Sequence, residues 1–239
     1  MKGHTNSICC LKHLDSNPTH LASGSSDNSI KIWDCLTSNC LYNLNGHQSG
    51  SWIACLADLP CGYLVSGGGC FDGTIKIWDM ALNKSIQEIK DFEKERYWNQ
   101  IYCLRALPQS QDLFVSGSSD SAIKIWNARW GRCIKYLYGH TDAVTDLEFN
   151  LSNQLISCSK DGTIRIWDMR NILLSVKCVR VLKGQFDQAE SCIRLSKTDG
   201  KLLSGSRGMV RVWNMETGEC EKTIKTDYSI TSLDLCLCY

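Results

Sequence analysis

Serine, histidine and aspartate, the side chains that together activate a hydroxyl for acyl transfer, recur along this 239-residue chain. His4 is followed by Ser23 and Asp27, His47 by Ser66 and Asp72, and His140 by Ser157 and Asp161. A hydrolase needs one such set in a cleft beside an oxyanion hole, so three copies argue against catalysis. No catalytic residue is assigned. Metal chemistry is no better served. His13 and His20 flank a loop without ligand spacing, no Cys-x-x-Cys occurs, and Cys236 and Cys238 lie two apart, on one side of a strand. The glycines of SGGGCFDG at 66–73 lack the Lys-Ser/Thr ending of a phosphate loop and fit an enlarged turn. No cofactor or metal is expected.

Fifteen cysteines would suit a secreted disulfide scaffold. Their positions say otherwise. Cys40, Cys133, Cys178 and Cys220 each lie four residues before the apolar residue that closes a strand, and Cys10, Cys55, Cys103 and Cys192 share a second repeat position. In one four-stranded unit these positions fall on the innermost and outermost strands, about 14 Å apart, too far for a bridge that needs Cα atoms within roughly 7 Å. All eight read as small buried apolar side chains in a reducing compartment.

The elements that must carry these residues repeat as well. SIKIWD at 29–34, TIKIWD at 74–79, AIKIWN at 122–127, TIRIWD at 163–168 and MVRVWN at 209–214 place Trp33, Trp78, Trp126, Trp167 and Trp213 at intervals of 45, 48, 41 and 46 residues. Each unit reads as four strands. A first strand such as SICCLKHL leads through a polar loop to a second such as HLASGS, a tight turn gives the Trp strand, and a fourth strand closes the unit. Asp72-Gly73 and Asp161-Gly162 are hairpin dipeptides, and Asn28 and Ser121 follow Asp at the corresponding turns. Pro18, Pro60 and Pro108 all fall between first and second strands, where a missing N–H breaks no ladder. No helix is needed.

Bulk composition excludes little else. With 26 basic against 25 acidic residues, net +1, nothing marks a general polyanion binder, so nucleic acid is not an expected partner. The first residues lack a signal-peptide core, and no run approaches the roughly 18 to 20 apolar residues of a bilayer span. A soluble intracellular protein, cytoplasmic or nuclear, with no membrane partner is the expectation.

Gly3-His4, Gly46-His47 and Gly139-His140 before a strand, with Trp33-Asp34, Trp78-Asp79 and Trp167-Asp168 closing one, make the chain resemble the WD40-repeat β-propellers. The resemblance covers essentially all residues. It implies an all-β WD40-type β-propeller as a single domain over 1–239, with five complete four-stranded blades near 3–45, 46–90, 91–138, 139–183 and 184–226. Residues 227–239 would supply the first strand of a sixth, leaving a partial or open ring whose edge is covered by further sequence or another chain. It also implies a buried hydrogen-bonded chain of His4, Ser23, Asp27 and Trp33, repeated by His47, Ser66, Asp72, Trp78 and by His140, Ser157, Asp161, Trp167. Blades three and five depart from the pattern. DFEKERYWNQ replaces Gly-His in one, Gly184-Gln185 replaces it in the other, and Arg207 stands near the turn Asp, so these strands should persist with a weaker polar network.

Function then falls to exposed loops. The resemblance places the loops before strand one and between strands two and three on one rim, which gathers Trp52, Phe71, Tyr97, Trp98 and Tyr102, with Lys160, Ser26 and Ser119 as additions, and aromatic clusters suit a binding hot spot. Trp52 or Trp98 could equally cap blade packing. On the opposite face Trp167-Asp168-Met169-Arg170 looks like the Asp-x-Arg signature of substrate receptors for cullin-type ubiquitin ligases, with Arg129 in a looser copy. A non-catalytic scaffold or adaptor for protein or peptide partners is the first reading, a ligase receptor the second, and a hydrolase the third.

Overall fold

The computed structural model describes residues 2–48, 50–70, 72–90, 100–183, 190–196 and 199–233. Every regular element among them is a strand. The chain divides into two compact units, Met1–Ser119 with Ile123–Tyr136, and Asp120–Ala122 with Leu137–Tyr239.

The first unit holds three antiparallel four-stranded sheets. Sheet one is β1 (Ile8–His13), β2 (His20–Ser25), β3 (Ser29–Asp34) and β4 (Cys40–Asn45); sheet two is β5 (Ile53–Leu59), β6 (Tyr63–Gly68), β7 (Thr74–Asp79) and β8 (Lys84–Lys90). Sheet three is β9 (Ile101–Ala106), β10 (Leu113–Ser118), β11 (Ile123–Asn127) and β12 (Arg132–Leu137), also in chain order. The second unit holds β13 (Val144–Phe149), β14 (Gln154–Ser159), β15 (Thr163–Asp168) and β16 (Lys177–Lys183), then a fifth sheet of β17 (Glu190–Leu195), β18 (Leu202–Trp213) and β19 (Cys220–Ser229). Each sheet is a meander, as the turn residues require. The second turn position before the Trp strand is left-handed in every repeat, at Asn28, Gly73, Ser121, Gly162 and Gly208, the geometry that selects Asn and Gly there.

The fifth sheet has three continuous elements where four strands are expected. Trp213 nevertheless donates its indole N–H to Ser204 at 2.9 Å, whereas a straight strand would separate residues nine apart by roughly 30 Å. β18 therefore doubles back at Arg207-Gly208, and its halves are the second and third strands of the repeat. β19 runs past the expected boundary at 226: Ser229 pairs with Arg207, so residues 227–229 belong to the fifth sheet and not to a sixth.

Alternation sorts each Trp strand into two faces. In β3, Ile30 and Ile32 are fully buried and pack with Leu56, Leu64 and Trp78 of sheet two. In β7, Ile75 and Ile77 do the same with Leu104, Phe114 and Trp126 of sheet three. Within the second unit, Ile156 and Ile164 meet Ile193, Leu202 and Trp213. Within each unit a sheet lends its aliphatic face to the large side chains of the next. The approach is close enough to demand glycine in the second strand. A Cβ on Gly24 would lie 2.6 Å from both Cys10 Sγ and Ile53 Cγ2, and one on Gly67 would lie 2.7 Å from Cys55 Sγ and Ile101 Cγ2.

The inner-strand cysteines are the small apolar fillers expected of them: Cys55, Cys103 and Cys192 are buried, and burial pushes the Cys10 thiol up to about 12. The outer-strand set is a correction. Cys40 and Cys220 are exposed and Cys133 and Cys178 half-buried, because the fourth strand is an edge whose outward positions face solvent.

Gly67→Ala should overpack the contact between sheets one repeat apart and lower stability by about 1 to 3 kcal/mol. Urea unfolding would show this as a lower midpoint at unchanged slope, whereas an unchanged midpoint would contradict the packing described.

Candidate functional site

The three Ser-His-Asp sets do assemble, and the assembly shows what they are for. His4 Nδ1 lies 2.8 Å from Asp27 and Nε2 lies 2.7 Å from Ser23, whose oxygen accepts the Trp33 indole N–H at 2.7 Å. His47 bridges Asp72 (2.5 Å) and Ser66 (2.6 Å), with Trp78 donating to Ser66 at 2.8 Å. His140 bridges Asp161 (2.9 Å) and Ser157 (2.8 Å), with Trp167 donating at 2.9 Å. A neutral ring donating from Nδ1 and accepting at Nε2 satisfies every group in the chain. All three serines are buried, so their hydroxyls are interior acceptors that a substrate does not reach.

Sequence reasoning missed a fifth member. Ser29, Thr74 and Thr163 each donate a hydroxyl to the turn Asp at 2.6 Å and approach the histidine Nδ1 at 3.2 to 3.4 Å. The signal was available. A hydroxyl residue opens the Trp strand in the three repeats with His, while Ala122 and Met209 hold that position in the two without. Blades three and five keep the innermost bond, Trp126 to Ser116 at 2.8 Å and Trp213 to Ser204 at 2.9 Å. Asp120 keeps the turn role, accepting from the Ala122 N–H at 3.0 Å.

A second set was also missed. The residue before the last aliphatic of each Trp strand is a cation, and Lys76, Lys124 and Arg211 are buried. Their partners differ: Lys31 donates to Asn43 at 2.9 Å, Lys76 pairs with Glu88, Lys124 sits 5.6 Å from the Tyr136 ring centroid, and Arg211 meets Met209 Sδ at 3.6 Å. Lys76 holds the Glu88 carboxyl below its usual range. The stems also line the glycine of Gly-His. A Cβ on Gly3 would lie 3.0 Å from Trp33 and 3.6 Å from Lys31, and one on Gly46 3.2 Å from Trp78, which is why glycine precedes histidine.

The rim is built by one repeated backbone bond. The residue after each second strand donates its N–H to the residue that enters the first strand: Ser26 to Ser7 (2.8 Å), Gly69 to Trp52 (2.8 Å), Ser119 to Gln100 (3.0 Å) and Lys160 to Ala143 (2.9 Å). In sheet two this bond lays the Trp52 indole against Gly69, where any Cβ would collide with the ring. Trp52 is thereby fixed yet half-exposed. Beside it Cys70 donates to Gln100 Oε1 at 3.1 Å, and Tyr102 is half-buried on β9. Trp52 and Tyr102 thus belong to adjacent packed sheets of one unit. Lys160 is exposed at the matching turn of blade four, in the other unit. Phe71, Tyr97 and Trp98 lie outside the described residues.

The Asp-x-Arg position has its own partner. Arg170 Nε lies 2.9 Å from Asp168 Oδ1 and Nη2 2.6 Å from Oδ2, a bidentate pair in which Arg170 holds the Asp168 carboxyl at about 2. The Arg170 guanidinium is thus closed on the repeat's own Asp, beside an open cleft of about 440 Å³ lined also by Asn171, Ser175 and Lys177. Arg129 pairs with Asp112 at 3.4 Å. Among the described residues no cluster of three or more potential metal ligands forms.

Two groups of blade four make stability acid-sensitive. Burial lowers the His140 ring below its usual 6.5, outweighing Asp161; the unfolded chain then takes up a proton there first, and stability declines as pH falls below about 6.5. Burial raises the Asp161 carboxyl, but the Thr163 hydroxyl, the Thr141 N–H and His140 more than offset it and bring it from 3.8 to about 2. Its contribution is complete above 3.8 and lost as pH falls through about 2. Urea midpoints at several pH values should fall on acidification, and Asp161→Asn should start lower at pH 7 and lose less between pH 4 and 2. Parallel pH profiles for the two proteins would contradict this.

A family profile described as WD domain, G-beta repeat matches the chain five times, over residues 1–34, 38–79, 90–127, 131–168 and 176–214. Each match ends within one residue of the end of the third strand, and the later ones begin before or at the end of the preceding fourth strand. The nuclear distribution protein PAC1 of Coccidioides posadasii is 38% identical over 234 residues, 87% of this chain and 48% of that protein. The nuclear distribution protein nudF of Emericella nidulans is 31% identical over 209 residues, 81% of this chain and 46% of that protein. The chain spans about half the length of these curated relatives. Neither name supports the ligase-receptor reading. With five repeat matches falling on five sheets, each centred on its Trp–Ser bond, this chain belongs to the WD domain, G-beta repeat family of β-propeller proteins.

Proposed function

We propose that this chain is a non-catalytic scaffold that holds protein or peptide partners on the rim carrying Trp52 and Tyr102, in a process of the kind named for its relatives, nuclear distribution. The observation behind this reading is Trp52. A large aromatic fixed against Gly69 and still half-exposed loses little entropy on binding, the property that makes tryptophan frequent at hot spots. The triad chemistry is consumed by the fold, since each serine oxygen is a buried acceptor for an indole. An intracellular setting accords with buried thiols used as apolar fillers and with the relatives' names. Among the described residues no helix is long and apolar enough to cross a membrane.

Affinity capture of crosslinked partners from cells tests the rim directly. Trp52→Ala and Tyr102→Ala should reduce specific capture by about tenfold or more while circular dichroism and the melting temperature stay near wild type. Undiminished capture by both variants would refute the rim as the binding surface, and loss of folding by Trp52→Ala alone would assign that ring to blade packing.

A further inference from the structure

Asn45 is the only asparagine of the chain that precedes glycine. It closes β4, the outer strand of sheet one, and Gly46 opens the Gly-His pair of sheet two. The other Gly-His pairs follow Lys2 and Tyr138. Both Asn45 and Gly46 are exposed. Among the described residues the Asn45 side-chain amide has no hydrogen-bond partner, and the Gly46 N–H, one residue beyond the last ladder pair of Ser29 with Asn45, meets no acceptor. An electrophilic amide and a main-chain nitrogen therefore stand side by side with neither engaged, and glycine brings no Cβ to obstruct a ring between them.

Asparagine is labile in such a setting, and the chemistry is intramolecular. The Gly46 nitrogen adds to Asn45 Cγ and gives up its proton to solvent; the N–Cγ bond forms as the Cγ–Nδ2 bond breaks, and the amide nitrogen leaves as ammonia. Water then opens the cyclic imide. Attack at Cγ gives aspartate, and attack at the former backbone carbonyl gives isoaspartate, in which the main chain runs through Cβ and Cγ. Neither step needs an oxidant or a second protein. The Asp-Gly pairs at 72–73, 161–162 and 199–200 differ, because an ionised carboxylate resists the same attack.

The two residues that follow decide what isoaspartate does to the fold. Gly46 packs on blade two: a Cβ there would lie 3.2 Å from Trp78 Cη2 and 3.9 Å from Lys76 Cδ, so the main chain has little room on that side. His47 is 7% exposed, and its ring is held at both nitrogens by Asp72 and Ser66. Ser66 in turn accepts the Trp78 indole N–H. Asp72 and Gly73 donate their N–H groups at 3.2 and 3.3 Å to Gly69, the seat of Trp52. We propose that Asn45-Gly46 is a site of intramolecular deamidation, and that its isoaspartate product, with one methylene added to the main chain two residues before His47, draws that ring out of the blade-two network and loosens Trp78.

Peptide mass spectrometry of the full chain, held natively or in urea at one mildly alkaline pH, reads the first half. Native Asn45 should convert at a rate within about tenfold of the unfolded chain's, with isoaspartate and aspartate resolved by electron-transfer fragmentation, and Asn45→Gln should stay unmodified at that position. Greater protection of native Asn45 would overturn the site. Indole exchange followed by NMR reads the second half. In protein converted to isoaspartate, Trp78 should exchange about tenfold or more faster than in fresh protein, while Trp167 is unchanged. Asn45→Gln aged in parallel should keep Trp78 slow, and so should fresh Asn45→Asp, which carries the charge on a main chain of normal length. Conversion that leaves Trp78 slow, or equal loosening by Asn45→Asp, would overturn the coupling to His47.

Discussion

The indole N–H of the third-strand tryptophan is buried between sheets, where an unpaired donor would cost on the order of 1 to 3 kcal/mol. In all five repeats it finds the hydroxyl of the second-strand serine, at 2.7 to 2.9 Å. The bond sets the register of the central hairpin and fixes the large ring that fills the gap to the preceding sheet, as Trp78 does against sheet one and Trp126 against sheet two. Histidine and aspartate elaborate on that bond. Where Gly-His is present, the serine oxygen also meets the imidazole, and the Asp that receives the other ring nitrogen ties the tight turn to the first strand. Blades three and five lack histidine and keep their strands, so the indole bond carries the repeat and the rest reinforces it.

Much of this was legible in the sequence because it depends on residues close to one another along the chain. Trp33, the turn at Asp27-Asn28 and Ser23 lie within eleven positions, and their chemistry permits few arrangements. What stayed hidden depends on the neighbouring sheet. A period of two places Cys40 and Cys55 on strands, but only the stacking shows that one faces water and the other the next sheet. Asp146 illustrates the same limit: it stands where the other repeats have cysteine, and only the fold reveals that it accepts the Ile193 N–H at 3.2 Å and pairs with Arg194 at 3.3 Å. The buried cations of the Trp strands were invisible for a related reason, since Lys76 looks like an outward-facing residue until Trp78 and Gly46 are seen to enclose its stem.

The same accounting separates the fold's polar groups from those left for partners. The Ser-His-Asp sets that first suggested an active site end with each donor matched to an acceptor, and Arg170 closes on Asp168. Trp52 differs in kind, being packed against Gly69 and still half-exposed. Function in this protein is therefore sought where the repeat is interrupted.

Solvent exchange of the tryptophan indole protons, followed by NMR, tests the central claim most directly. The account predicts slow exchange for Trp33, Trp78, Trp126, Trp167 and Trp213, including the two in repeats without histidine, against fast exchange for the exposed Trp130. If Trp126 or Trp213 exchanged as fast as Trp130, the indole–serine bond would not be the common support of the five sheets.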